Sequence, residues 1–200
     1  MTEKRRSLPL LGEPPVERRD AARNRIAILE ATRRLIDRDG IDAVTMEAVA
    51  TEANVGKGTV FRRFESRQGL MAALLDHSEM AWQGAVLFGP PPLGPDGDPL
   101  ERLLAFGPSR LETTLSNLDL IRHATAGRGG RSRPPYVFAV MHVRHLLQEI
   151  GVRGDLPLLA TAIMAPFEVH ILEQQTRVDG VTTARINAGW TDLVRRIVRD

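Results

Sequence analysis

Apolar residues return along this chain with a helical rather than a strand period. Ile28, Ala31, Leu35 and Ile36 fall at i, i+3, i+7 and i+8, and Gly40 follows as a stop, which predicts a helix over roughly 20–39. Thr45 is placed to cap a short helix running through Ala53, Gly56 precedes another through Phe64, and Ser66 opens a long one towards Phe88. Asp98 as cap with Pro99 at the first helical position starts a further helix, which Pro108 is expected to kink or split. Pro135 begins the next, up to Gly151. Asp155 opens a long apolar helix, interrupted by Pro166 and ending near Gly180, and the last helix runs from about Thr182 with Ile186, Trp190, Leu193, Val194 and Ile197 on one face. Neither strand alternation nor a hairpin turn between strand-like runs is found, so the expected fold class is all-α.

The breaks organise these helices. Residues 89–98, Gly89-Pro90-Pro91-Pro92 and onward, admit neither helix nor central strand, and 126–135 form a second Gly/Arg/Pro loop. The expected organisation is a flexible basic arm over 1–19, a domain of short helices over 20–65, a connecting helix over 66–88, the Pro/Gly loop over 89–98 and a C-terminal domain over 99–200.

Composition narrows the function classes. With 200 residues, 42% hydrophobic and 26% charged, the chain is long enough to bury a sizeable core. No unbroken apolar run approaches 18 residues and no signal peptide is visible, so a cytoplasmic protein without a membrane span is expected. The absence of cysteine excludes disulfides, thiolate metal sites and a Cys nucleophile. The net charge of +2 gives no global attraction to nucleic acid, so any polyanion must meet a local patch. Such a patch lies between Lys57 and Arg67, where four basic residues stand against Glu65 alone.

That patch belongs to a helix-turn-helix pattern. Two short helices joined by Ala53-Asn54-Val55-Gly56 must cross steeply, with Val49, Ala50 and Val55 as small contacts and Asn54 suited to a left-handed turn. Lys57, Gly58, Thr59, Arg62 and Arg63 then face outward while Val60 and Phe64 face in. The same pattern also fits an ordinary αα-corner whose arginines are merely solvated.

The extended string Arg25-Ile26-Ala27-Ile28-Leu29-Glu30-Ala31, Gly40, Val44-Thr45-Met46-Glu47-Ala48-Val49-Ala50 and Ala53 through Phe64 resembles the TetR family of transcriptional regulators over about residues 20–75. The resemblance implies a three-helix head whose third helix enters the major groove, a fourth helix leading to a ligand-binding body, and a homodimer made by the last two helices. It implies DNA contacts from Thr45, Lys57, Gly58, Thr59, Phe61, Arg62, Arg63 and Arg67. Phe61 stands where the family usually has tyrosine, Arg63 where histidine is common and Arg67 where lysine is usual. Asn54 replaces a frequent glycine, and Gly56 a frequent serine. Phe61 lacks the hydroxyl for a phosphate, leaving apolar contact with sugar or a thymine methyl. The arginines of the N-terminal arm are candidates for a minor groove.

In the C-terminal domain the expected small-molecule effector site comprises Phe106, Tyr136, Met141, His142 and Phe167, drawn from a wider set that includes Trp82 and Phe138. His142, His145 and Glu149 share a helical face, a spacing too common to assign a metal, and no metal or other cofactor is expected. A homodimer interface is expected from Phe167, Ile171, Trp190, Leu193 and Ile197, because these helices are apolar around more than one face. Such a dimer would present its heads to half-sites about 34–36 Å apart, or a multiple of it, in a palindromic operator. The reading is a ligand-responsive repressor of double-stranded DNA. The alternatives are a helical binding or scaffold protein without DNA binding and, third, a helical enzyme, for which no catalytic string is present.

Overall fold

A computed structural model describes residues 16–125 and 134–199; side chains of residues 16–20, 124, 125, 134 and 135 are left aside. The described residues form ten α-helices and no strand: α1 (Val16–Asp39), α2 (Met46–Glu52), α3 (Lys57–Phe64), α4 (Arg67–Phe88), α5 (Pro99–Ser116), α6 (Leu118–Thr125), α7 (Pro134–Ile150), α8 (Leu156–Met164), α9 (Val169–Glu173) and α10 (Thr183–Arg199). They fall into two compact units, one ending at Leu74 and one running from Leu75. Residues 1–15, with Lys4-Arg5-Arg6 of the expected arm, and 126–133 of the expected second loop lie outside the described residues.

In the first unit α1 buries Ile28, Leu29, Ala31, Thr32 and Leu35, the stripe its period predicts, although it starts four residues earlier than expected. Thr32 hides its hydroxyl by donating to Ile28 O at 2.8 Å. Gly40 stops the helix at φ +81°, ψ 162°, a conformation essentially reserved for glycine. Thr45 caps α2 by accepting from Ala48 N at 3.0 Å, and Asn54 turns the chain at φ +53°, the left-handed geometry expected of it. Ser66 caps α4 through Gly69 N at 3.0 Å.

The second unit is built on α5, α7, α8 and α10 packed around Leu103, Phe106, Val143, Leu146, Ile163, Phe167 and Trp190, with Trp82 and Val86 of α4 in the same core. Asp98 accepts from Leu100 N and Glu101 N, with Pro99 in the first turn, as expected. Of the two outcomes expected at Pro108, a kink or a split, the split does not occur. A single missing N–H leaves the helix otherwise bonded, and α5 continues to Ser116. The interruption falls instead at Asn117, whose buried amide donates to Thr113 O at 2.7 Å and to Ser78 Oγ at 2.9 Å, competing with the helical backbone. The stretch after Asp155 is segmented as expected: α8 gives way at Pro166 to a 3₁₀ turn, then α9, then a π turn over Gln174–Val178, with Gly180 at φ +64°.

Candidate nucleic-acid interface

The steep packing of α2 on α3 follows from small buried residues, Val49 and Ala50 on one side and Val60 on the other. Burial of Val60 and Phe64 fixes the rotation of α3, so Lys57, Gly58, Phe61, Arg62 and Arg63 are turned to solvent and Thr59 is half-buried. Phe61 is 39% exposed, an apolar ring presented among cations. Lys57 Nζ lies 5.6 Å from the centre of that ring and pairs with Glu47 of α2. This pairing holds the Glu47 carboxyl below its usual range. Arg62 lies along its own helix, Nε donating to Gly58 O at 3.2 Å. A side chain at Gly58 would meet no atom within 4 Å, so the glycine leaves an open backbone surface between Lys57 and Thr59. Thr45 is exposed at the start of α2, its hydroxyl already accepting the capping N–H.

Seven of the eight residues expected at DNA therefore lie on α3 or at the α2 cap. Arg67 behaves differently: half-buried, it donates from Nε to Val44 O at 2.8 Å and from Nη2 to Ile41 O at 2.5 Å, tying the start of α4 to the turn before α2. A cation in the first turn of a helix opposes the helix dipole, and here the two carbonyl acceptors offset that cost. Glu47 is the residue the sequence reading missed; nothing in its spacing distinguishes it from a solvated acid.

The residues expected to bind an effector do not all gather. Phe106 and His142 do, their rings stacked at 5.2 Å, with Phe138 at 5.9 Å from His142 and Trp82 at 5.2 Å from Phe106. Met141, one position and about 100° around the helix from His142, is 56% exposed. Tyr136 is half-buried, and Phe167 is packed edge-on to Trp190 at 5.1 Å. Phe167 and Trp190 are 6% and 4% exposed within one chain, so their apolar surface is already spent; Ile171, Leu193 and Ile197 are half-buried. The stretch Leu156–Val178, whose most apolar window is 28% buried, exposes Leu158 at 68%. By length and composition alone that stretch would cross a membrane, but it is broken at Pro166 and packs Ile163, Phe167 and Leu172 into the core.

Residues 28–74 match the family model described as bacterial regulatory proteins, tetR family. An uncharacterized HTH-type transcriptional regulator of Bacillus subtilis, YvkB, is 35% identical over 96 residues, 48% of this chain and 47% of its own length. The chain thus spans about half the length of that relative, and less of the Staphylococcus aureus regulators it also matches. Among solved structures, a putative TetR-family transcriptional regulator from Rhodococcus sp. superposes with a TM-score of 0.63 at 18% identity, covering 88% of this chain and 99% of that one. BioQ, solved with its natural double-stranded DNA operator, gives 0.56 at 19% identity over 88% and 98%.

Proposed function

The chain belongs to the TetR family of bacterial regulatory proteins through residues 28–74, and from that premise we propose that it represses transcription as a homodimer bound to a palindromic operator, released by a small molecule. The observation that carries the DNA half is the outward face of α3, where Lys57, Arg62 and Arg63 flank an exposed Phe61 and an unobstructed Gly58 backbone. Cations supply phosphate affinity, the bare backbone permits close approach, and the ring offers apolar contact to a sugar or thymine methyl. Thr45 and Thr59 join this face as neutral contacts. Arg67 contributes by fixing the turn from which α2 starts.

The test is binding to DNA flanking the chain's own gene, measured against salt. Lys57→Ala is expected to weaken operator and random DNA alike and to reduce the salt slope by about 1. Arg62→Ala is expected to flatten discrimination at one base pair, costing about 1–3 kcal/mol if its guanidinium is bidentate to guanine. Equal losses on operator and random DNA for Arg62→Ala would remove the base-reading role, and salt-independent binding would remove the reading altogether.

The dimer half is supported by Leu158 and Val178, large apolar side chains of the stretch Leu156–Val178 that are left 68% and 70% exposed. Leu158→Glu, at a position that makes little contact within one chain, is expected to leave the circular dichroism and melting of the fold intact while producing monomers at micromolar concentration. Sedimentation showing a monomeric wild type, or a dimeric Leu158→Glu, would overturn it.

A further inference from the structure

In the second unit two buried nitrogens have no hydrogen-bond partner among the described residues. Arg102 of α5 is buried; its Nη1 donates to Glu149 Oε2 at 3.2 Å, but its Nε has no partner. His142 of α7 is equally buried, and its Nε2 has no partner either. The two belong to one neighbourhood. Phe106, one turn on from Arg102, stacks on His142, and the charge of Arg102 helps to lower the proton affinity of that imidazole. Buried donors and acceptors in folded proteins are nearly always paired, so two orphans in one neighbourhood mark a place where a further polar group would be accommodated.

We propose that α5 and α7 hold between them a binding site for a neutral, hydroxyl-bearing aromatic molecule, whose oxygen accepts from Arg102 Nε and donates to His142 Nε2. The inference rests on the effector half of the reading above and names the chemical class that half left open.

Each part of that class follows from a group in this neighbourhood. Burial, more than the neighbouring charges of Arg102 and His145, pushes His142 down to about 4, so at neutral pH it is uncharged and retains a lone pair to accept a proton. A hydroxyl is the simple group that can both accept from a guanidinium and donate to an imidazole. A carboxylate would bring a second anion to a guanidinium that Glu149 already matches, and a quaternary cation would face that guanidinium directly. A bare hydrocarbon would leave both nitrogens unpaired. The walls are aromatic: Phe106 and Phe138 both stack on His142, and Trp82 meets Phe138 edge-on at 5.6 Å, geometries that a further ring can extend. The polar end reaches solvent at Glu149 and His145, which pair at 3.5 Å with both side chains exposed.

The experiment titrates the full-length protein with 4-ethylphenol, ethylbenzene and 4-ethylbenzoate, following binding by calorimetry and the His142 ring nitrogens by NMR. Wild type is expected to prefer the phenol over ethylbenzene by at least about tenfold, with a shift of the Nε2 resonance. His142→Phe keeps the stacked ring and should reduce that preference to within about threefold while retaining ethylbenzene binding. Arg102→Met should do the same by removing the other partner. Equal affinity for phenol and ethylbenzene, tighter binding of the benzoate, an unchanged preference in both variants, or no binding of any probe, which would mean that water alone fills the gap, would each overturn the proposal. A parallel gel shift separates the two readings. Operator release by some other compound, undiminished in His142→Phe, sinks this site but keeps the effector; phenol binding that leaves operator affinity unchanged keeps the site and sinks the effector.

Discussion

Gly107→Ala is expected to destabilise the second unit by about 2–4 kcal/mol, lowering its melting temperature by roughly 10 °C. The sign is the informative part. Alanine in place of glycine inside a helix ordinarily stabilises by about 1 kcal/mol. Here a Cβ would lie 2.3 Å from Trp190 Cε2 and 2.4 Å from its Nε1, and the indole cannot retreat because it is buried, packed against Phe167 and donating from Nε1 to Leu103 O at 3.2 Å. Relief of the clash therefore also costs that hydrogen bond or the aromatic packing. Trp190→Phe, which removes the second ring, is expected to recover part of the loss in the double variant, giving a coupling energy above about 1 kcal/mol in a denaturant cycle. A Gly107→Ala protein within 0.5 kcal/mol of wild type would show that α5 and α10 are not held together by this contact.

The same contact marks where the sequence was readable and where it was not. Helix existence was legible because each signal is local: the 3.6-residue period of α1, the Thr45, Ser66 and Asp98 caps, and the glycine stop at Gly40 depend on residues within one turn. The outward face of α3 was legible for the same reason, since Val60 and Phe64 determine which way Lys57 and Arg62 point. Long-range contacts were not. Trp190 reads as an unpartnered apolar residue until it is seen that Gly107, 83 positions earlier, leaves a slot for its ring. Arg67 reads as one more cation in a basic run until Ile41 O and Val44 O are brought to it. The break in α5 shows the same limit in reverse. Pro108 carries a strong local signal yet does not split α5, whereas the helix ends at Asn117, with a weaker one, where its amide donates to Ser78 Oγ and Thr113 O.

Glu79→Leu is expected to cost about 3–5 kcal/mol, because it leaves the Arg110 guanidinium buried without its counter-charge. The pair is nearly dry, with side chains 5% and 11% exposed, and Nη1 donates to Oε2 at 2.6 Å. Arg110 does more than neutralise the carboxylate. Its Cζ lies 4.7 Å over the Trp82 ring, whose Nε1 donates to Ser109 Oγ at 3.0 Å, so one residue fastens the second half of α4 to α5 by charge, by ring face and through its neighbour. Arg110→Leu should cost a similar amount by stranding Glu79. The double variant Glu79→Leu with Arg110→Leu is expected to be more stable than either single one, since two apolar side chains of moderate size need no desolvation of charge. Hydrogen exchange supplies a readout that global stability does not. Amides of α4 beyond Leu75 should lose protection in both single variants and regain most of it in the double. Additive losses in the double variant would mean that Glu79 and Arg110 are not energetically coupled, that neither is stranded by loss of the other, and that the fastening of α4 does not depend on this ion pair.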